Sequence, residues 1–504
     1  MLRESAVFTS LFFVVLAQVQ CATTRSEGIG PQGLLGEGTP FETPWYDHRG
    51  PEDGPTILIT GGMHGNEPAG AAAAEAIASW TVQRGRIVVA PRMNPPALAA
   101  NQRLIPGLEE PIGNLNRHFP TRGEVLEGVA TDLWALFEEV QPDWVLDIHE
   151  GFAFRRINSG SVGSSIISCV DERAIELAQK MIAAVDETIE EEDRKFTLLR
   201  NPIESSFARA AWENARVPSM ILETTYGKYP LPDGKERRYS VSYRARQHRL
   251  MVHTFLTELG MEPCSPDVLI DPRITGDRVR VAIYDDLGAS VGGASDLERV
   301  LSEYDRVETR RLCSVDVNAG MLSQFDVVLH PGGSGSGQAN SLGESGRAKE
   351  IEFIRDGGGY LGVCAGGYLA ACNYSWSLAI LDARTVDTKN GNWRRGRAEL
   401  EIELTAAGLG LFGDMDPSFD VKYANGPIYA PGKRDEIPDY ETLALYRGEV
   451  ADNGTSKGVM PGTPALIRGR FGEGRAVAFS PHPEDTRSIQ HFIRDAVIWA
   501  AGRD

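Results

Sequence analysis

The sequence predicts an α/β protein that is built from two successive domains. Apolar runs of strand length alternate with helical stretches, which is the pattern of a largely parallel sheet. The alternation stops in a segment rich in proline and polar residues, 263–277, and then restarts. The length of 504 residues is also too great for one ordinary domain. We therefore expect α/β domains over residues 41–262 and 278–504, joined by a linker over 263–277.

The expected strands are the apolar runs, and the expected helices lie between them. In the first domain the strand-like runs are 56–60, 87–90, 144–148, 165–168 and 219–222, with helical stretches at 69–80, 126–140 and 240–259. In the second domain the runs are 279–284, 325–329, 360–363 and 476–479. No internal repeat relates the two halves, so we expect two unrelated modules.

The first residues have the layout of a secretory signal peptide. Arg3 precedes an apolar run, 6–17, that is too short to span a membrane comfortably. We expect a signal peptide over residues 1–21, a tether over 22–40, and an exported, periplasmic or extracellular protein. Cys21 stands where a bacterial lipoprotein carries its lipidated cysteine, but the three residues before it match the usual signal poorly. A lipid anchor is therefore only an alternative.

The composition is that of a soluble globular protein. Hydrophobic residues make up 42% and charged residues 24%, and 51 basic against 70 acidic residues give a net charge of −19. Because phosphate binding needs basic patches, we expect no nucleic-acid partner. The five cysteines after Cys21 form no CxxC pair, so we expect at least one free thiol rather than a disulfide scaffold. No later segment is typical of a transmembrane helix.

A glycine-rich turn after the first strand-like run carries a potential metal site. The turn, 61–68, places His64 and Glu67 three residues apart, and His149 ends the third run. Catalytic zinc takes three such protein ligands and keeps one position open for water. The sequence therefore predicts one zinc ion per chain, held by His64, Glu67 and His149.

A zinc hydrolase also needs a general base and a cation beside the developing oxyanion. Glu223 supplies the carboxylate, because it directly follows the run 219–222 and so points into the crevice at a strand's C-terminal end. Arg103 and the tract 114–119, which contains Asn116 and Arg117, supply cationic and anion-binding groups.

In this order the residues resemble the succinylglutamate desuccinylase/aspartoacylase family of the zinc carboxypeptidase clan, over roughly residues 50–260. The resemblance implies that Glu223 activates the water and that Arg103 polarises the scissile carbonyl. It also implies that Asn116 and Arg117 hold a substrate carboxylate. One departure is Asn114, where the family often has aspartate; the zinc ligands are unaffected by it.

Taken singly, these residues also have structural interpretations. His64 could be a turn histidine, His149 a core histidine, Glu223 a helix cap, and Arg117 the partner of a structural acid. We favour the zinc site because the whole set stands in order at predicted strand ends.

The second domain contains a cysteine at a predicted strand–turn–helix junction, 360–370. Such a turn exposes a nucleophile, and the helix N-terminus favours its thiolate. Cys364, His482 and Glu484 would serve as nucleophile, base and orienting acid. Gly332 and Gly333, which follow another strand-like run, offer backbone N–H groups for an oxyanion hole. Cys372 is expected on the same helix, in the core.

This half resembles the class I glutamine amidotransferase fold, which is flavodoxin-like. It is most similar to the N-terminal domain of biotin–protein ligases, over about residues 278–502. The Cys364 motif carries the likeness, together with Tyr423-Ala424-Asn425-Gly426-Pro427. A catalytic cysteine and a non-catalytic binding module both remain open.

The sequence thus predicts an exported zinc hydrolase that cleaves an amide bond beside a carboxylate. Acylated amino acids or short peptides are the expected substrates. The alternative enzyme is a zinc carboxypeptidase acting on short or cell-wall peptides. The alternative of another class is a binding protein in which both sites are degenerate, which predicts no bound metal.

Overall fold

The structure is a computed structural model that describes residues 30–120, 128–230, 236–273, 276–413 and 415–503. The predicted signal peptide, Cys21 and the first part of the predicted tether lie outside the described residues. Among the described residues, no helix combines the length and the apolar character needed to cross a bilayer. The five described cysteines are free thiols.

In its described part, the first domain contains ten strands and six α-helices. In chain order they are β1 (Gly33–Leu35), β2 (Thr43–Arg49), β3 (Glu52–Gly61), α1 (Pro68–Ile77), β4 (Arg84–Ala90), α2 (Pro95–Ala100), α3 (Val129–Val140), β5 (Trp144–Gly151), β6 (Ser165–Ser168), α4 (Glu172–Asp186), β7 (Thr197–Arg200), α5 (Phe207–Ala215), β8 (Ser219–Thr225), β9 (Tyr229–Pro230), β10 (Glu236–Arg237) and α6 (Val241–Glu258).

Eight of these strands form one sheet in the order β1-β2-β4-β3-β5-β8-β6-β7. The four central strands β4, β3, β5 and β8 run parallel, whereas β2 and β6 pair antiparallel on either side of them. Helices α1, α4 and α6 pack on one apolar face, and α3 and α5 on the other. The predicted parallel α/β architecture is confirmed. Strand β1 lies within the predicted tether and pairs with β2.

The second domain contains eleven strands and six α-helices in its described part. They are β11 (Val279–Tyr284), α7 (Gly293–Ser302), β12 (Val307–Leu312), α8 (Ser314–Asn318), β13 (Val327–His330), α9 (Gly335–Arg355), β14 (Gly359–Val363), α10 (Ala365–Ala370), β15 (Ala383–Val386), β16 (Arg397–Leu404), α11 (Ala406–Phe412), β17 (Ser418–Ala424), β18 (Ile428–Pro431), β19 (Glu441–Tyr446), β20 (Pro464–Phe471), β21 (Gly474–Phe479) and α12 (His491–Ala500).

Nine of these strands form a second sheet in the order β12-β11-β13-β14-β21-β20-β19-β16-β17. The strands from β12 to β21 run parallel, and those from β21 to β17 run antiparallel. The parallel part is the flavodoxin-like unit that the sequence predicts. It brings the ends of β13, β14 and β21 to one edge, where the second candidate site lies.

The two domains meet along α6 and the segment that follows it. The Trp80 indole donates a hydrogen bond to the Val268 carbonyl (2.9 Å), and the Cys264 N–H donates to the Thr81 carbonyl (2.9 Å). Leu269 is buried. The predicted linker is therefore packed against the first domain at Cys264 and Val268, and its Leu269 N–H bonds to Gln324 of the second domain (2.9 Å).

Asp316 of the second domain is the centre of a buried ion-pair cluster at this boundary. Its Oδ1 accepts hydrogen bonds from Arg246 (3.2 Å) and Arg249 (3.1 Å) of α6. Its Oδ2 accepts one from the Cys313 N–H at the start of α8 (3.1 Å). The carboxylate is fully buried. Such a group stabilises a fold only while its partners are present.

Replacing Asp316 with alanine should lower the free energy of unfolding by about 3–5 kcal/mol, because two arginines lose their buried partner. Urea unfolding of the full chain measures the change. Asp267→Ala is the matched control, since its carboxylate pairs with Arg246 but is 36% exposed. That variant should lose less than about 1 kcal/mol. Equal losses in the two variants would contradict the assignment.

Candidate metal centre and cysteine site

The turn between β3 and α1 brings the first two predicted zinc ligands together. Strand β3 ends at Gly61 and α1 begins at Pro68, so His64 and Glu67 lie on the turn at the carboxyl end of the sheet. The turn packs tightly against α2. A Cβ at Gly65 would lie 1.8 Å from the Ala97 carbonyl oxygen, so only glycine fits there.

Glu67 lies between the two predicted histidine ligands. Its Oε1 is 2.8 Å from Nδ1 of His64, and its Oε2 is 2.9 Å from Nδ1 of His149. One ligand atom from each of the three residues lies within 4.8 Å of the others, and all three side chains are buried. The set predicted from sequence therefore forms one cluster.

The outer nitrogens of both histidines face acceptors that orient the rings. Nε2 of His64 lies 2.9 Å from Oδ1 of Asn114, and Nε2 of His149 lies 2.9 Å from Oδ2 of Asp147. Thr60 donates a hydrogen bond to the other oxygen of Asp147 (2.7 Å). When zinc is bound, Nε2 would carry the proton of each ring and Nδ1 would be the metal ligand. The donor set and its supports fit zinc.

Glu223 lies beside His149 because the two residues are register partners on the parallel strands β8 and β5. The side chain is buried, and its Oε2 has no hydrogen-bond partner. Burial raises the pKa of Glu223 well above its ordinary value, and the negative charge of Glu67 adds to this, against the cations His149 and Arg103. An unpartnered carboxylate with a raised pKa is suited to accept a proton.

Arg103 and Asn116 contact the cluster, and Arg117 contacts Asn116. Arg103 donates a hydrogen bond to Oε1 of Glu67 (2.7 Å), and its side chain is 41% exposed. The Asn116 amide nitrogen lies 3.2 Å from Nε2 of His149, and its oxygen accepts from the Phe207 N–H (2.9 Å). The half-buried Arg117 donates to the Asn116 carbonyl (2.7 Å). Asn116 thus lies behind His149, and carboxylate binding by Asn116 and Arg117 stays a prediction.

Sequence reasoning missed three contributors to this site. Asp147 precedes His149 by two residues on β5, so both side chains lie on one face of the strand, a signal that could have revealed it. Asn114 entered only as a departure from the family, yet it contacts His64. The hydroxyl of Tyr226 accepts a hydrogen bond from the Asn66 amide (3.3 Å) at the same edge of the sheet.

The predicted cysteine turn has the backbone of a nucleophile elbow. Cys364 lies between β14 and α10 with φ 50° and ψ −96°, a conformation that is costly for a non-glycine residue. Its Sγ lies 3.4 Å from the carbonyl oxygen of Ala424, within the Tyr423–Pro427 motif. The two motifs that carry the second resemblance therefore meet.

His482 and Glu484 follow β21, the strand next to β14. Nδ1 of His482 lies 2.7 Å from Oε1 of Glu484. The other ring nitrogen, Nε2, is buried, and Cys364 is a neighbour of the ring. Burial lowers the pKa of His482, but the neighbouring Cys364 and Glu484 overcome it and raise that pKa to about 11. The imidazole is thus oriented and charged beside the thiol.

Gly332 lies next to this pair. A Cβ there would come within 2.9 Å of the His482 ring and 3.8 Å of the Cys364 Cβ. Gly333 has φ +134°, and a Cβ would meet the Gly288 carbonyl oxygen at 2.2 Å. Cys372 lies beyond the end of α10 and is partly exposed, so its predicted place in a buried helix is wrong.

Comparisons with known proteins match the two halves of the chain to two different families. Residues 53–224 match the family described as succinylglutamate desuccinylase/aspartoacylase catalytic domain, and residues 280–389 match biotin-protein ligase, N terminal. The first match lies within the first domain and the second within the second domain, each with the family that the sequence of that half resembles.

Among curated proteins, the chain is similar to an N-alpha-acetyl-L-2,4-diaminobutyric acid deacetylase from Halomonas elongata. The two are 39% identical over 104 residues, which are 20% of this chain and 29% of that protein. The apo cell shape determinant protein Csd4 from Helicobacter pylori is 17% identical, with a TM-score of 0.38 over 48% of this chain and 66% of that one. A succinylglutamate desuccinylase/aspartoacylase from Rhodobacter sphaeroides is 21% identical, with a TM-score of 0.31 over 45% and 62%.

We expect purified protein to contain one zinc ion per chain. Replacing both His64 and His149 with alanine should abolish this stoichiometric binding, because one carboxylate and water hold zinc poorly. Metal analysis after dialysis measures the content. His253→Ala is the control, since that ring packs against Trp80 outside the cluster. Full zinc occupancy in the double variant would rule out the ligand assignment.

Proposed function

We propose that this protein is a zinc-dependent hydrolase that cleaves the amide bond of an acylated amino acid bearing a carboxylate. The observation that carries the proposal is the buried set His64, Glu67 and His149, with the unpartnered Oε2 of Glu223 beside it. Three protein ligands leave a coordination position for water or substrate. When bound, zinc would acidify that water and polarise the amide carbonyl.

The protein's own groups would then handle the proton and the developing charge. Glu223 accepts the proton of the attacking water and delivers it to the leaving nitrogen. Arg103 stabilises the negative charge that develops on the carbonyl oxygen. Because its side chain is partly exposed, it can exchange its contact with Glu67 for one with substrate. Arg117, which directly follows Asn116 in the chain, supplies a positive charge that binds the substrate carboxylate.

Deacylation is favoured over peptide trimming by the curated relative, whose name describes removal of an acetyl group from an amino acid. The alternative is a zinc carboxypeptidase acting on short or cell-wall peptides. A hydrolysis screen separates them, because a deacylase accepts N-acyl amino acids and a carboxypeptidase requires a peptide bond before its terminal residue.

Glu223→Gln should retain zinc but lower kcat by roughly 10²–10⁴, the usual contribution of a general base. The amide keeps the shape of the side chain and cannot accept the proton. Arg103→Ala should likewise retain zinc and slow turnover, because the oxyanion loses its cation. Zinc content and kcat on the best substrate are both measured. Glu213→Gln, on the surface of α5, serves as control; a wild-type rate in Glu223→Gln would remove Glu223 as the base.

A second candidate function is favoured by the backbone of Cys364. A non-glycine residue held at φ 50° beside a charged His482 fits a cysteine nucleophile. We propose that the sulfur of Cys364 attacks the carbonyl carbon of an amide substrate after passing its proton to His482. The C–N bond then breaks as His482 protonates the leaving amine, and water hydrolyses the resulting thioester to a carboxylic acid and the free thiol. A non-catalytic binding module is the alternative.

Cys364 should react with iodoacetamide faster than Cys372, although Cys372 is more exposed. The positive charge of His482 lies beside the sulfur of Cys364, whereas burial and Asp382 raise the pKa of Cys372. Since the pKa of His482 is about 11, its charge persists across neutral pH and is lost only as the pH rises through that value. His482→Ala should therefore slow labelling from about pH 6 to about pH 9. Peptide mass spectrometry measures both rates, and equal slow labelling would indicate an inert elbow.

A further inference from the structure

We infer that Arg244, on α6, is a positioning residue that holds the zinc ligands in register through the carboxylate of Glu150. The inference rests on the proposed zinc site. The ion pair of Arg244 with Glu150 is buried and takes no part in the proposed catalytic steps.

Glu150 connects the two chain segments that carry the ligands. It follows His149 on β5, and its side chain points to the opposite face of the strand. Its backbone N–H donates a hydrogen bond to Oε2 of Glu67 (3.1 Å). Its own Oε2 accepts one from the Ala69 N–H (2.8 Å), in the first turn of α1. Since α1 begins at Pro68, directly after Glu67, Glu150 fixes the turn to the end of β5.

Arg244 holds the Glu150 carboxylate in that position. Its Nε donates a hydrogen bond to Oε1 of Glu150, and its Nη1 donates to the Tyr239 carbonyl (2.5 Å). Both side chains of the pair are buried, with exposed fractions of 6% for Arg244 and 0% for Glu150. A buried carboxylate needs such a partner, and the planar guanidinium also fixes the direction in which the carboxylate points.

A second residue of α6 supports the same network. His248 is four residues after Arg244 and so lies on the same face of the helix. Its Nε2 lies 2.9 Å from the Thr224 hydroxyl, which is 3.4 Å from Oε1 of Glu150. The carboxylate is thus held from α6 and β8 on one side and is bonded to the start of α1 on the other.

The consequence concerns metal binding. His64 and Glu67 come from the β3–α1 turn, whereas His149 comes from β5, so their spacing depends on how the turn is fixed to the strand. Without Arg244, the Glu150 carboxylate loses its fixed direction and its bond to the turn. Residues that support metal ligands from behind change affinity by about 10–100-fold when they are replaced.

Arg244→Met tests the inference, because methionine retains much of the apolar stem and removes the donors. The probes are zinc alone, titrated into metal-free full-length protein against a chelator, and Co²⁺, whose visible spectrum reports ligand geometry. We expect zinc affinity to fall about 10–100-fold and the Co²⁺ spectrum to change. Arg246→Met is the matched control on the same helix: it removes a contact to Asp316 and should leave zinc affinity unchanged.

Two further variants separate positioning from a general loss of folding. Arg244→Lys restores a buried cation, so it should recover part of the zinc affinity. The second is the double variant Arg244→Met/Glu150→Gln. Its glutamine side-chain oxygen can still accept the hydrogen bond from the Ala69 N–H, and no unpaired carboxylate charge is left buried. The loss in this double variant should be smaller than the sum of the two single losses, since both residues act through one contact.

Each outcome has a distinct meaning. Wild-type zinc affinity and an unchanged Co²⁺ spectrum in Arg244→Met would overturn the inference and leave the proposed function intact. Additive losses in the double variant would also overturn it, because the residues would then act independently. Failure of the unmodified protein to bind zinc would instead overturn the proposed function itself.

Discussion

The first site depends on the hydrogen bonds and ion pairs that the carboxylate of Glu67 makes. Nδ1 of His64 and of His149, a guanidinium nitrogen of Arg103 and the backbone N–H of Glu150 all converge on its two oxygens. Burial acts to raise the pKa of Glu67, but His64 and His149 hold it well below its ordinary value. An ionised carboxylate in a buried site needs this many partners. Glu67 thereby joins the β3–α1 turn to β5.

Helix α6 gives this site a second layer and connects it to the rest of the chain. One face carries Arg244 towards Glu150, and another carries Arg246 and Arg249 towards Asp316 of the second domain. The same helix therefore contacts Glu150, next to the proposed zinc ligand His149, and forms the domain boundary. The second domain positions its own candidate site independently, through the positive φ of Cys364 and the turn after β21. Each domain thus carries its own candidate site, and the two domains pack against each other at α6.

Much of the first site could be predicted from sequence because its residues directly follow apolar runs. Parallel strands end at one edge of a sheet, so His149 and Glu223 had to be neighbours if β5 and β8 were adjacent. That adjacency is a matter of strand order, which the local pattern does not contain. Asp147 was missed because it is embedded in an apolar strand, where it is indistinguishable from a core polar residue until its partner His149 is located.

Contacts over long sequence separations account for the rest of what the sequence did not reveal. The Arg244–Glu150 pair spans 94 residues, and the placement of Asn116 behind His149 spans 33. Neither follows from periodicity or spacing. Cys372 was misplaced for a local reason, because α10 ends at Ala370 and the chain is already extended at Ala371. Thus the catalytic residues at the strand ends could be predicted from the sequence, whereas the contacts that support them could be found only in the folded structure.

The most direct test of the central claim is X-ray absorption spectroscopy at the zinc edge of the purified protein. The account predicts a first shell of nitrogen and oxygen at about 2.0–2.2 Å, with the outer-shell scattering of two imidazole rings and no sulfur at about 2.3 Å. A sulfur shell would place zinc on a cysteine, and a shell without imidazole scattering would place it away from His64 and His149. Either result would contradict the assignment of the metal centre to the turn between β3 and α1.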